Sequence, residues 1–253
     1  YLDATFVHTR RDKSVSKEGY YTLLGIKEDG TREVLSVVNH PTEGALLWGH
    51  ELEALKDRGV ESVGLFVSDG LSGIEDAIKR VYPNSKHQLC GVHLKRNILS
   101  LFPHKEKKNI ALELNNVIQL ETKSLTPIEG FNKLCSFVDK YIKKYPLLKR
   151  YKAPRNVAYF TYLDYPIEVQ RMIYSTNWIE RLNRDYKRVL KMRGAMPTPE
   201  SVIALMGAVA MEKESTTYAY PVYAFRDVQE LKRKEIPSSE YRCATLHNIQ
   251  RKE

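Results

Sequence analysis

Apolar residues recur along this chain first with the period of strands and then with the period of helices. Residues 1–10 (YLDATFVHTR), 20–28 (YYTLLGIKE) and 32–39 (REVLSVVN) are rich in β-branched and aromatic residues at strand length. The turn Glu28-Asp29-Gly30 joins the last two as a hairpin. Ala45 to Arg58 carries apolar residues at helical spacing, including Leu47, Leu52 and Leu55, and Gly59 stops it. Residues 62–68 (SVGLFVS) read as a short buried strand, Ser72 to Val81 as a helix stopped at Pro83-Asn84, and 86–92 (KHQLCGV) as a fifth strand. From about residue 94 to residue 150 the period is helical, with breaks at Pro103, Thr126-Pro127 and Pro146. Residues 156–174 are aromatic and irregular. Two helices follow, roughly 175–192 and 198–214, divided by Gly194 and Pro197. Beyond 215 the polarity is mixed, with Pro221 and Pro237, and no element is assigned. The chain opens on Tyr1 inside a strand, so a segment upstream is expected.

Three strands, then alternating helix and strand, then a helical block and a closing helix pair predict an α/β fold. The order matches an RNase H-like mixed five-stranded sheet flanked by helices, with an all-helical insertion before its last helix. In these terms, residues 1–93 hold the first part of the sheet core and 94–172 the mainly helical insertion. Residues 173–214 return to the core, and 215–253 form an unassigned tail.

Composition adds the partner. The 253 residues suffice for one large domain or a domain with an insertion. The longest apolar stretch, Val202 to Met211, is about half of the roughly 20 residues that span a bilayer, and no signal segment opens the chain. No membrane association is expected. Cys90, Cys135 and Cys243 are odd in number and widely spaced, which fits a reducing cytoplasm better than a disulfide framework. Forty Lys and Arg against 31 Asp and Glu leave a net charge of +9, which calls for a polyanion, most simply nucleic acid. The excess is clustered in Lys140 to Arg155, with Lys143 and Lys144, and in Arg181 to Arg193. A basic run alone usually marks a solvated face. Two runs flanking one motif-bearing segment shift the balance toward a DNA-binding, nucleoid-associated protein.

Three acids stand out by position. Asp3 lies in the first strand between Leu2 and Ala4, where a carboxylate is costly to bury unless paired or metal-bound. Asp69 ends the fourth strand, and ligand sites in open α/β sheets favour the carboxyl ends of strands. Glu180 belongs to a helix with apolar Ile179, Leu182, Tyr186 and Val189, and shares its other stripe with Asn183, Arg184, Lys187 and Lys191. Each acid has a plain explanation: a pairing or capping role, an Asx turn, a surface charge. Together they form an oxygen donor set suited to two Mg²⁺ ions about 4 Å apart, for which Mn²⁺ can substitute. The amide and cations of the stripe would then face DNA. Cys90-Gly-Val-His93 has a spacing seen at zinc sites, but only two ligands are local, and packing or hydrogen bonding accounts for them better.

The sequence resembles the bacterial and archaeal insertion-sequence branch of the Mutator-type transposases. The resemblance rests on YLDATFV around Asp3, LFVSDGLSGIEDAI around Asp69, QLCGVHLKRNIL around Cys90 and His93, STNWIERLNRDYKR around Glu180, and the closing KMRGAMPTPESVIALM. It implies a DDE transposase catalytic core of RNase H-like fold that cleaves DNA at transposon ends and joins it to a target. Asp3, Asp69 and Glu180 would be the catalytic, metal-holding triad, Cys90 and His93 would support the active site, and the protein would work as a homo-oligomer assembled on DNA. Trp178 departs from the smaller residue usual at its position. The family's N-terminal helical DNA-binding region has no counterpart in these residues, so recognition of specific ends is not expected of them. The rival expectations are an RNase H-like nuclease and a domesticated DNA-binding remnant without turnover.

Overall fold

In the computed structural model, which describes residues 1–39, 45–122 and 124–225, the sheet is organised by its first strand. That strand, β1 (Leu2–Arg11), pairs antiparallel with β2 (Ser14–Ile26) from Leu2↔Leu23 to Arg11↔Ser14. β2 therefore begins at Ser14, ahead of the apolar run that starts at Tyr20. The polar stretch Ser14 to Gly19 has little strand propensity of its own, and cross-strand partners decide its conformation. Asp12 takes a left-handed φ of 51° in the tight turn. The Arg11 guanidinium then grips Glu18 at 2.7 and 2.9 Å, which makes burial of that carboxylate tolerable.

β3 (Arg32–Asn39) adds antiparallel to β2. β4 (Leu65–Ser68) pairs parallel with the other edge of β1, and β5 (Lys86–Leu89) pairs parallel with β4. The order β3-β2-β1-β4-β5 is a mixed five-stranded sheet, with β1 at its centre. Helices flank it, so the α/β class expected from the element order holds.

One face is covered by α1 (Ala45–Asp57) and α2 (Ile74–Val81), whose Trp48, Leu52, Leu55, Ile74 and Ile78 pack on Leu2, Tyr21, Leu23 and Phe66. Across the opposite face, α7 (Asn177–Leu190) and α8 (Pro199–Ser215) bring Leu182, Tyr186, Leu190, Val202 and Met206 onto Tyr20. Between β5 and α7 the chain is helical: α3 (Gly91–Ser100), α4 (His104–Val117), α5 (Pro127–Tyr141) and α6 (Ile167–Ile173), with short 3₁₀ turns from Pro146 to Asp164. The aromatic, irregular stretch expected at 156–174 is these turns together with α6. It supplies Phe160, Tyr162, Leu163, Val169 and Ile173 to the core of the helical block.

Two further boundaries differ from the sequence expectation. β5 stops at Leu89, and Cys90 is already the N-cap of α3, because Cys90 N–H bonds Ser68 O and Gly91 N–H bonds Tyr174 O, each at 2.8 Å. The chain after α8 packs back on the sheet side: Tyr218 is buried, and Arg32 stacks between it and Trp178 at 4.6 and 4.9 Å. Cys243 and Pro237 lie outside the described residues.

The helical block is fastened to the sheet by a buried amide. Gln88, on β5, donates Nε2 to Tyr159 O at 3.0 Å and accepts the Tyr162 N–H on Oε1 at 2.7 Å. Gln88→Leu would strand both backbone groups in the interior and should lower stability by about 2–4 kcal/mol. Urea unfolding reads this directly; a loss within the scatter of ordinary surface substitutions would show that the amide is not the fastener.

Candidate active site

The single parallel pairing Leu2↔Ser68 places two aspartates side by side, because the next residue on each strand is Asp3 or Asp69. Asp3 is only 8% exposed. Its Oδ1 accepts the Ala4 N–H at 2.9 Å and its Oδ2 accepts Asn183 Nδ2 at 2.8 Å. Burial pushes its carboxyl above the usual carboxylate range, and nearby Glu180 pushes the same way against the pull of the Ala4 N–H, His93 and Asn183. Asp69 follows β4 in a turn whose backbone is held by Leu71 N–H on Asp69 O at 2.8 Å.

Glu180 lies in the first turn of α7, where a carboxylate is favoured by the helix dipole. Its Oε1 is 3.3 Å from Thr176 Oγ1. The helix is strongly two-faced. Ile179, Leu182, Asn183, Tyr186 and Leu190 are buried, and Arg181, Arg184, Lys187 and Arg188 are exposed.

Cys90 and His93 sit at the joint of β5 and α3. The Cys90 sulfur is fully buried and lies 3.3 Å from Thr176 Oγ1 and 3.5 Å from Thr176 N. Burial raises its thiol, but hydrogen bonding from His93 and Thr176 outweighs this and brings it below the ordinary value. His93 is raised by Cys90 first and by Asp69 as well, against its own burial. His93 therefore stands within electrostatic reach of Cys90, Asp69 and Asp3. Gly91 allows a close approach here, since a Cβ would meet Tyr174 Cδ2 at 3.0 Å and Tyr174 O at 3.2 Å and the tyrosine would have to shift by a few tenths of an ångström.

The structure thus gathers Asp3, Asp69, Glu180, Cys90 and His93 around the ends of β1, β4 and β5 and the start of α7. Among the described residues, no three His, Cys, Asp or Glu side chains close around a single ion. One assignment needs correction. Asn183, expected to contact DNA, is 4% exposed and holds Asp3 instead. At about 100° per residue it sits roughly 60° from Glu180 toward the buried arc, so it turns inward. The expected cation at Lys144 is paired with Glu106 at 2.9 Å, and Lys140 and Lys152 likewise pair with Glu113 and Asp139. Lys143, Arg184, Lys187 and Lys191 are exposed and make no ion pair among the described residues.

Residues 1–219 match the Mutator family of transposases. The chain belongs to that family. It is 33% identical over 211 residues to the transposase for insertion sequence element IS1201 of Lactobacillus helveticus, covering 83% of this chain and 56% of that protein. The transposase for IS905 of Lactococcus lactis is 30% identical over 202 residues, covering 80% of this chain and 50% of its own length. The transposase for IS256 in transposon Tn4001 of Staphylococcus aureus is 28% identical over 212 residues, with 83% and 53% covered. The chain spans about half the length of the curated relatives it matches. No helix among the described residues is long and apolar enough to cross a membrane.

Two polar residues at the site, Ser68 and His87, have a contact that the sequence analysis did not assign. Ser68 Oγ donates to Asp69 O at 2.7 Å and meets His87 Nε2 at 2.8 Å. Since the hydroxyl proton goes to Asp69, the imidazole must donate from Nε2. Burial, and Lys79 after it, push His87 down to about 4. A histidine whose folded value lies below its unfolded value of about 6.5 binds fewer protons when native. Its contribution is complete above that value and is lost as pH falls through 4, on the order of 3 kcal/mol. His87→Gln keeps a donor without the titration. Its unfolding free energy should fall less between pH 7.5 and 4.5 than that of the wild type; equal falls would contradict the assignment.

Proposed function

We propose that this chain is the catalytic part of a DDE transposase, with an RNase H-like core interrupted by the helical block between β5 and α7. The observation that carries the proposal is the meeting of Asp3 and Asp69 on adjoining strand ends with Glu180 near enough to raise Asp3. Carboxylates crowded into a half-buried site repel one another unless a cation lies among them. The donors are all hard oxygens, and Mg²⁺ is commonly held by one or two carboxylates, with water and substrate phosphate completing its sphere. By donor type these carboxylates suit divalent ions, and Asp3, Asp69 and Glu180 would be the groups that hold them. When bound, a pair of such ions supplies Lewis-acid stabilisation of the attacking and leaving oxygens of an in-line displacement.

The chain's own residues then divide the work. Asn183 fixes the direction of Asp3 through Oδ2. Arg184 and Lys187 on the exposed stripe of α7, with Lys191 at its C-cap, neutralise the phosphate backbone on the side of Glu180, and exposed Lys143 adds a further cation on the helical block. In the first reaction a water oxygen bonds to phosphorus at the transposon end, the P–O3′ bond breaks, and the 3′ oxygen leaves as a hydroxyl after taking a proton. In the second, that 3′-hydroxyl attacks a target phosphodiester, a new O–P bond forms, and the target's own 3′ oxygen departs. Cytoplasmic action as a homo-oligomer on DNA belongs to the same proposal.

Asp69→Asn and Glu180→Gln keep size but remove the charge that holds a cation. With Mg²⁺ or Mn²⁺, each should cut DNA cleavage and strand transfer by at least about 10³-fold while non-specific DNA affinity stays level. Substantial residual strand transfer by either variant would reject the catalytic role. A preference of the wild type for RNA–DNA hybrids would point to a nuclease instead.

Replacing Arg184, Lys187 and Lys191 together with Gln should flatten the salt dependence of DNA binding. The log–log slope should fall by about 0.9 for each phosphate that is no longer neutralised. The same replacements at Lys140, Lys144 and Lys152 should change it little, since those lysines already pair with acids. The opposite ranking would move the DNA surface to the helical block.

A further inference from the structure

Thr176 occupies the N-cap position of α7 without capping it. A threonine there ordinarily accepts a hydrogen bond from a backbone N–H two or three residues ahead. This chain shows that arrangement twice: Thr126 accepts from Glu129 N at the start of α5, and Thr198 accepts from Ser201 N at the start of α8. At Thr176 the side chain makes no such bond. Its hydroxyl lies 3.3 Å from Cys90 Sγ and 3.3 Å from Glu180 Oε1, one proton facing two acceptors. Its backbone N–H also points at the sulfur, at 3.5 Å, and the residue is fully buried.

From this geometry we infer that Thr176 is a positioning residue, which aims the Glu180 carboxylate while the Cys90 sulfur anchors Thr176. The inference rests on the proposal that Glu180 holds a divalent ion. A glutamate on a helix surface samples several staggered side-chain conformers, each with the carboxylate in a different place. A hydroxyl one turn earlier on the same helix selects among them. That hydroxyl is useful only if it is itself fixed. Here the fixing partner comes from another part of the chain, 86 residues away. Cys90 is in turn held to the sheet by its N–H on Ser68 O, next to Asp69. The latch Ser68–Cys90–Thr176–Glu180 thus ties the third acid to the strand end that carries the second.

The test is calorimetry of Mn²⁺ binding to this chain and to the variants Thr176→Val, Thr176→Ser and Glu180→Gln, with thermal unfolding recorded for each. Thr176→Val keeps the shape and removes the hydroxyl. It should weaken Mn²⁺ binding about tenfold, as loss of an outer-sphere partner does, with little change in unfolding temperature. Thr176→Ser should restore affinity to within about twofold of wild type. If the valine variant folds poorly, Thr176→Ala carries the same comparison against Thr176→Ser. Wild-type affinity in Thr176→Val beside a weakened Glu180→Gln would overturn the latch alone. A serine variant as weak as the valine variant would also overturn it, because the hydroxyl would not be the cause. Equal Mn²⁺ binding by wild type and Glu180→Gln, or none by either, would remove the metal role of Glu180 and the latch with it.

Discussion

Burying the Asp3 carboxylate in the central strand costs free energy that only directed partners or a cation can offset. The partners present are one backbone N–H and the amide of Asn183. That amide comes from a helix 180 residues further along. The dependence runs outward from there. For Asn183 to reach Asp3, α7 must lie across the sheet, and it does so by burying Leu182, Tyr186 and Leu190 against Tyr20 of β2. The same placement sets Glu180, roughly 60° from Asn183 around the helix, within electrostatic reach of Asp3. Packing, the aspartate's hydrogen bond and the third acid's position are one geometric requirement.

The joint between β5 and α3 meets the complementary requirement on the other side of the site. Within two residues it bonds to Ser68 at the end of β4 and to Tyr174 before α7. A Cβ at Gly91 would crowd Tyr174, which follows from how closely these segments approach. Cys90 and His93 therefore bring together elements that enter the site from three regions of the chain, and they do so through hydrogen bonding and charge.

Much of this was legible in the sequence where the signal is local. The first three strands, α1 and the closing helix pair follow from apolar period and from the punctuation at Gly59, Gly194 and Pro197. Asp3 and Asp69 were recognisable because a charge inside one apolar run and at the end of another needs a reason. What could not be read depends on partners far along the chain. Ser14 to Gly19 becomes a strand because β1 pairs with it, and Lys140, Lys144 and Lys152 lose their availability to acids 13 to 38 residues away. Asn183 lies at the border of two stripes, where periodicity alone does not say which way an amide turns. The Ser68–His87 contact joins two strands whose register no single sequence window contains.

At the centre stands the proposal that Asp3, Asp69 and Glu180 together hold divalent ions. Its most direct test is a crystal of this chain soaked in Mn²⁺, with diffraction recorded at the manganese absorption edge. The account predicts anomalous density between the ends of β1 and β4 and the first turn of α7, within coordinating distance of Asp3 and Asp69. Manganese found only at other acidic positions, with those two carboxylates unliganded at saturating Mn²⁺, would contradict it.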